Sequence, residues 1–217
     1  MGAPLDIDAM RRGAEAPQIT TDIAGAQAAA DDLTAAFMDD PVFDWLSRTD
    51  AKRPASRQRF FRFLVSQMVL GIGEVQRPAA GGAAALWMPF EALGPNPLIK
   101  ELQALPMLLG LTGWGRFGRL VQLREVMDKH HPMDKPHEYL WFIGVRPDVQ
   151  GHGVGSRLLK SKLDRLDAAG RAAFLEASTE SNMRLYSRHG FEVLAEWRPA
   201  PDGPPSWSMW RAPGAAP

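Results

Sequence analysis

The sequence predicts a mixed α/β (α+β) fold whose central sheet has a parallel βαβ core. Two observations carry this. Between residues 138 and 197, runs of strand length alternate with helical periodicity: Glu138–Val145, Gly153–Ala169, Ala172–Ala177, Ser181–His189 and Phe191–Trp197. Strand–helix–strand succession of this kind implies a parallel core. Glu138–Val145 is also a near-continuous apolar and aromatic run, as a strand buried on both faces requires.

Earlier in the chain, residues 1–17 are rich in Ala, Gly, Pro and charge and are expected to be flexible. Ile19–Ile23 alternates with polar residues and predicts a short strand. Ala24–Met38 predicts a helix, with Leu33, Ala36 and Phe37 at helical spacing. Asp39-Asp40-Pro41 stops it, because the residue before a proline avoids the α region. A second helix is expected from Pro54 to Leu70. Phe60, Phe61, Leu64, Val65 and Met68 form its buried stripe, and Arg57, Arg59 and Arg62 lie in solvent. Gly71–Val75 and Ala83–Met88 read as paired strands around the turn Pro78–Gly82.

Residues 91–132 read as helical, punctuated by Pro95, Pro97, Pro106 and the run Gly110–Gly118. The helix Gly153–Ala169 places Val154, Leu158, Leu159, Leu163 and Leu166 on one face and stops at Gly170. Ser206–Arg211 closes the chain as a strand after a Pro-rich turn. With no internal repeat and no linker, residues 18–212 are expected to form one domain, with 91–136 a helical insert.

Composition excludes several functions. The chain has 217 residues, with Lys plus Arg and Asp plus Glu both at 25, so it lacks the basic excess of a nucleic-acid binder. It has no cysteine, which removes disulfides, thiolate metal sites and cysteine nucleophiles. No His/Asp/Glu set has metal-ligand spacing, so no metal is expected. The N-terminus has no signal-peptide core, and Asp6 stands where a myristoylation signal at Gly2 needs Ser or Thr. The longest apolar stretch, Phe60–Ile72, is broken by Arg62, Ser66 and Gln67 and is too short to span a bilayer. The expectation is a cytoplasmic protein with no membrane partner; a homodimer is compatible with it.

The chemistry begins at Val145-Arg146-Pro147-Asp148-Val149-Gln150-Gly151-His152-Gly153-Val154-Gly155-Ser156. This segment leaves a strand and opens a helix, and its alternating glycines let backbone N–H groups converge on an anion. A nucleoside-triphosphate loop places Lys-Ser or Lys-Thr after its last glycine, whereas Ser156-Arg157 follows here. A dinucleotide loop has Gly-x-Gly-x-x-Gly in a first βαβ unit; here the spacing is Gly-x-Gly-x-Gly, two-thirds along the chain.

Gln150-x-x-Gly153-x-Gly155 after Ile143-Gly144-Val145 resembles the acetyl-coenzyme A loop of the GNAT superfamily of N-acetyltransferases. The resemblance continues through Phe174-Leu175-Glu176-Ala177-Ser178, Asn182-x-x-x-Tyr186 and Arg188-His189-Gly190-Phe191, all in order. Within the superfamily the likeness is greatest to the puromycin N-acetyltransferases. It adds Ala35-Ala36-Phe37 with Pro41, Leu86-Trp87-Met88, Trp141-Phe142 and Ser206-Trp207-Ser208-Met209. It is specific over residues 139–211, looser over 33–90 and weak over 91–136. It implies the GNAT fold, a mixed sheet with helices on both faces, and an extra helical segment at 91–136 that shapes the acceptor site.

The resemblance also implies roles. Backbone amides of Gln150, Gly151, His152, Gly153, Val154, Gly155 and Ser156 hold the pyrophosphate of acetyl-coenzyme A, the co-substrate. The backbone of Ile143 and Val145 pairs with the pantetheine arm, and the Val145 N–H faces the thioester oxygen. Asn182 binds coenzyme A, and Tyr186, four residues on and on the same helix face, lies near the sulfur as proton donor. The attacking amine needs a base, for which Glu176 is the first choice and Glu138 and Asp40 are weaker ones. His137, His152 and His189 are read as packing, loop and helix-end residues. The aromatic residues Trp45, Trp87 and Trp114 are candidates for the wall of a pocket for a small-molecule amine. A peptide N-acetyltransferase and a non-catalytic acyl-coenzyme A binding module are the alternatives.

Overall fold

The computed structural model describes residues 6–94 and 98–215, and side chains throughout that set except at 98–101. Met1–Leu5, with Gly2, and Pro95 and Pro97 lie outside the described residues.

Aspartate caps start the early helices. Asp6 accepts the Ala9 N–H to open α1 (Ile7–Glu15), and Asp22 accepts the Gly25 N–H to open α2 (Ile23–Ala36). Most of the segment expected to be flexible is therefore helix, and α1 buries Met10 and Ala14. The strand expected at Ile19–Ile23 shrinks to β1 (Gln18–Ile19), because Asp22 converts Ile23 into the first residue of a helix. Asp40-Pro41 is a start as well as a stop. Asp40 accepts the N–H groups of Val42 and Phe43, and Pro41 occupies the first turn of α3 (Pro41–Leu46).

The next helix is α4 (Arg53–Phe63), which widens into a π-helical turn over Leu64–Val69. Arg57 is not in solvent as the periodicity suggested. Its exposure is 0%, and its guanidinium donates to Asp44 (2.7 Å), Ser47 Oγ (2.9 Å), the Phe37 carbonyl (3.0 Å) and the Met38 carbonyl. A fork of five donors suits this cluster, and it ties the end of α2 to α3. Arg57→Ala leaves Ser47 Oγ and the Phe37 carbonyl without their guanidinium donor, while Arg53 still serves Asp44 and the Met38 carbonyl, and is expected to destabilise the fold by about 2 kcal/mol, read from urea unfolding. A change under about 0.5 kcal/mol would mean that solvent satisfies them.

Strands β2 (Glu74–Arg77) and β3 (Ala83–Pro89) form the expected antiparallel pair. Helices α5 (Leu98–Thr112) and α6 (Phe117–His130) occupy the stretch expected to be helical. Then come β4 (His137–Val145), α7 (Val154–Ala168), β5 (Ala172–Ala177), α8 (Glu180–Ser187), β6 (Glu192–Trp197) and β7 (Ser206–Arg211). The seven strands lie in the order β1-β2-β3-β4-β5-β7-β6, and β4–β5 is the parallel pair among them. The strand–helix–strand succession thus holds for β4-α7-β5. It does not extend to a neighbouring β6, because β7 inserts between β5 and β6.

Core packing separates the two faces of this mixed α/β sheet. One cluster joins Leu33, Phe43, Phe61, Val65, Leu86 and Phe174 under α2 to α4 and α6. The other joins Met10, Trp87, Leu140, Leu158, Leu175 and Tyr186 under α1, α7 and α8. That division gives the GNAT-like arrangement of helices on both faces. Among the described residues, no helix is long and apolar enough to cross a membrane.

Candidate active site

The site begins with a defect in strand pairing. Strand β4 pairs with β5 only from His137↔Ala172 to Leu140↔Leu175. Opposite β3, the register jumps from Trp87↔Leu140 to Leu86↔Phe142, which leaves Trp141 without a partner. Trp141 and Phe142 accordingly both pack on the α2 side, whereas Leu140 and Ile143 pack on the α7 side. An extra residue of this kind bends its strand. Beyond it β4 keeps β3 and parts from β5, whose last residues Glu176 and Ala177 pair with Ser208 and Trp207 of β7. A wedge opens between Trp141–Val145 and the end of β5.

Backbone direction in the wedge follows from one hydrogen bond. The Arg146 N–H donates to the Gly82 carbonyl at 2.9 Å, so alternation along the antiparallel pair turns Gly144 toward β3 as well. Ile143 and Val145 then direct their N–H and C=O groups into the wedge. The Val145 carbonyl accepts the Gln150 side-chain amide at 3.0 Å, so Gln150 serves the site through the strand end.

Below the wedge lies the loop. Gly151 (φ +81°) and Gly153 (φ +76°) adopt the left-handed conformation, and no atom lies within 4 Å of where a Cβ would stand on either. Gly153 caps α7 without a side chain, and the first helical bond is Arg157 N–H to the Gly153 carbonyl. The N–H groups of Val154, Gly155 and Ser156 therefore have no helical acceptor and carry the positive end of the helix dipole. Gly155 is required for closeness, since a Cβ there would lie 2.9 Å from Val145 Cγ2. His152 is exposed in the turn. Ser156 engages its side chain elsewhere. Its Oγ is 2.7 Å from His189 Nε2, so what it offers an anion is its backbone N–H. His189, beyond a helix end as expected, is held below the usual imidazole range by burial and by Arg188, Arg211 and Lys160.

Across the wedge, Thr179 caps α8 through the Asn182 N–H, which sets Asn182 and Tyr186 on one face. Among the described residues neither side chain makes a hydrogen bond. Burial, and secondarily the Asp40 carboxylate, push the Tyr186 phenol well above its ordinary value. Asp40 accepts from Ser178 Oγ at 2.6 Å, which ties the start of α3 to the end of β5. Burial raises the Asp40 carboxyl despite that bond.

Glu176 stands at the vertex of the wedge, on the same face of β5 as Phe174. Its Oε1 is buried without a hydrogen bond and lies 3.8 Å from His131 Nδ1. The phenol of Tyr139 faces the same carboxylate and is held well above its usual value by burial and by Glu176. Glu138 takes no part. It points to the other face, where it pairs with Lys162 (3.3 Å) and Arg171 (3.2 Å). The three tryptophans form no common wall. Trp87 is fully buried on the α7 side, Trp45 is buried on the α2 side under Arg119, and Trp114 is 86% exposed. Tyr139 is the aromatic residue facing Glu176, and Trp141 and Phe174 pack on Tyr139. His131 and Tyr139 escaped the sequence reading. The signal available for the first was a histidine directly before Pro132, where a helix must end.

Residues 118–193, from α6 through α8, match a family model described as acetyltransferase (GNAT) domain. Over those residues the chain is similar to GNAT acetyltransferases. It is therefore an enzyme, an acetyl-coenzyme A-dependent acetyltransferase, and its mixed sheet with a parallel β4–β5 pair is the GNAT fold. Similar solved structures include a Corynebacterium glutamicum protein named histone acetyltransferase HPA2 and related acetyltransferase. It is 26% identical with a TM-score of 0.65, over 91% of this chain and 97% of that one. A polyamine N-acetyltransferase of Drosophila melanogaster that forms N-acetylagmatine matches at 16% identity and a TM-score of 0.58, over 90% and 99%. Arylalkylamine N-acetyltransferase 2 from Aedes aegypti matches at 15% and 0.58, over 90% and 98%. The last two show likeness of fold. The wedge, the loop and α8 lie inside the matched residues, and the open edge of β4 is the part that another extended chain could pair with.

Proposed function

We propose that the chain transfers the acetyl group of acetyl-coenzyme A to the amine of a small molecule by direct attack on the thioester. One observation carries this: the outward N–H groups of Ile143 and Val145 open into the wedge that continues from the uncapped start of α7. The residues fit the co-substrate. Free amides of Gly151–Ser156 suit a pyrophosphate, with open space in front of Gly151 and Gly153. The edge of Ile143–Val145 suits an extended pantetheine arm, and Asn182 flanks it from α8. The Val145 N–H is a fixed donor for the oxyanion that develops as the amine attacks the carbonyl carbon. As the carbon–sulfur bond breaks, Tyr186 donates to the departing thiolate, and Glu176 accepts the proton that the amine loses.

The acceptor reading rests on the surroundings of Glu176, a carboxylate among Tyr139, Phe174 and His131. A cationic amine with an apolar or aromatic body matches both features. Thiol release from acetyl-coenzyme A is the assay, run over arylalkylamines, polyamines, a lysine-bearing peptide and puromycin, which belongs there on sequence likeness. Amines with aromatic bodies are expected to give the highest kcat/KM. Acetylation confined to hydrophilic polyamines or to the peptide would overturn the acceptor class. Binding of acetyl-coenzyme A without turnover of any amine would favour the binding-module alternative.

A further inference from the structure

Glu176 Oε1 is a buried carboxylate oxygen with no close hydrogen-bond partner among the described residues, and the Tyr139 phenol is the donor that acts on this carboxylate; a buried acceptor left unpaired costs about 1–3 kcal/mol unless something offsets it. The neighbour of Oε1 at 3.8 Å, His131 Nδ1, comes from the loop after α6. His131 is held from behind. Its Nε2 is 3.0 Å from His137 Nε2, and His137 Nδ1 is 2.7 Å from the Lys135 carbonyl.

Proton positions follow from these partners. A carbonyl only accepts, so His137 carries its hydrogen on Nδ1. Burial lowers the proton affinity of His137, with further depression from His131 and Arg171, so its Nε2 is a lone pair. His131 must then donate from Nε2, and in its neutral form it turns the Nδ1 lone pair toward Glu176. Two acceptors thus face each other in a box of Phe174, Tyr139 and His137 rings, centred 4.5, 4.9 and 5.0 Å from the imidazole of His131. A single proton between them removes the conflict and draws the 3.8 Å gap in to hydrogen-bond length.

We propose that His131 and His137 are positioning residues that make Glu176 and His131 one proton-holding unit, so that the proton lost by the acceptor amine is lodged between Glu176 Oε1 and His131 Nδ1. The inference rests on the acetyl-transfer reading and on Glu176 as base. The amine N–H bond breaks with its electron pair left on nitrogen, and an O–H bond forms at Glu176. That proton passes to the Nδ1 lone pair, which restores the carboxylate and makes His131 an imidazolium. It leaves to solvent from the partly exposed His131. Other ionisable groups surround the pair. Arg171 and Glu91 face His137, Tyr139 and Asp128 face the carboxylate side, Lys135 lies over Trp210, and His130 stacks on Trp197.

The test compares wild type, His131→Gln, His137→Gln, Glu176→Gln and the double variant His131→Gln/Glu176→Gln, with the best amine of the panel and acetyl-coenzyme A. Both histidine variants are expected to lower kcat at neutral pH by about tenfold, less than the hundredfold or more lost with the group that takes the proton directly from substrate. Each should move the acid limb of the kcat/KM profile while the acetyl-coenzyme A dissociation constant changes by less than about twofold. The double variant should be no slower than Glu176→Gln alone, because residues that act as a unit do not add. Nitrogen-15 NMR of the unliganded wild type should find His137 protonated at Nδ1 and His131 at Nε2. An unchanged rate and profile in His131→Gln, or a loss that adds to that of Glu176→Gln, overturns the proposal. So does a His131 tautomer with hydrogen on Nδ1 alone, which decides the matter even if a variant fails to fold. Full activity in Glu176→Gln removes this inference while leaving acetyl transfer intact; absence of turnover with every amine removes the function itself.

Discussion

Tyr186→Phe is expected to lower kcat about a hundredfold, with the acetyl-coenzyme A dissociation constant changed by less than about twofold. The change removes one oxygen and keeps the ring, which packs against Phe191 at 6.0 Å between centroids. No hydrogen bond among the described residues is lost with the hydroxyl, so the fold should not register it. A hundredfold is about 2.7 kcal/mol of barrier, the scale of a well-placed proton donor. The phenol is held above its ordinary value by burial and by Asp40, so it stays protonated through the whole working range. The sign matters for the pH profile. Activity should rise as the acceptor amine loses its proton, and no fall attributable to Tyr186 should set in below about pH 10. Calorimetry for binding and thiol release for rate separate the two effects. Wild-type turnover in the variant would remove Tyr186 as the donor.

Gly153→Val is expected to weaken acetyl-coenzyme A binding at least tenfold while the fold persists. A side chain at φ +76° costs about 1–2 kcal/mol in backbone strain, and somewhat more when β-branched. That strain alone does not lower affinity. The added methyl groups do, because they project into the empty space before the free amides of α7. Gly170 supplies the control. It has φ +64°, an equally empty Cβ position, and lies past the other end of α7. Gly170→Val should lose comparable stability by thermal unfolding and bind acetyl-coenzyme A as wild type does. Equal affinities in the two variants would detach the loop from the cofactor.

What the sequence made legible is what local chemistry encodes. The bounds of β5 and β7, and the helix α7 between its glycines, follow from apolar runs and breakers that act within a few residues. The same locality made the glycine turn before α7 and the short helix that carries Asn182 and Tyr186 readable, because both belong to one short ordered stretch. Long-range pairing was not readable in this way. Nothing in Ser206–Arg211 says that it will enter between β5 and β6, because edge choice depends on the whole sheet. Arg57 failed for a related reason: its partners, Phe37, Met38 and Asp44, are far away in sequence, and periodicity counts only neighbours. Trp87 and Trp45 were grouped by residue type, but the sheet stands between them. The helical stretch hid His131, whose meaning exists only against a carboxylate 45 positions later in the numbering of the chain.

The unpartnered Trp141 separates two kinds of instruction in β4. On either side of it the residues already alternate: Tyr139 and Phe142 go to one layer, Leu140, Ile143 and Val145 to the other. A chain shortened by that one position would keep this alternation and lose only the packing of Trp141 on Tyr139 and Phe142. It would also leave no reason for β4 and β5 to diverge, and the groove would zip shut. Foldability and catalysis are thus written at different addresses on the same strand, with a single supernumerary residue holding the door open.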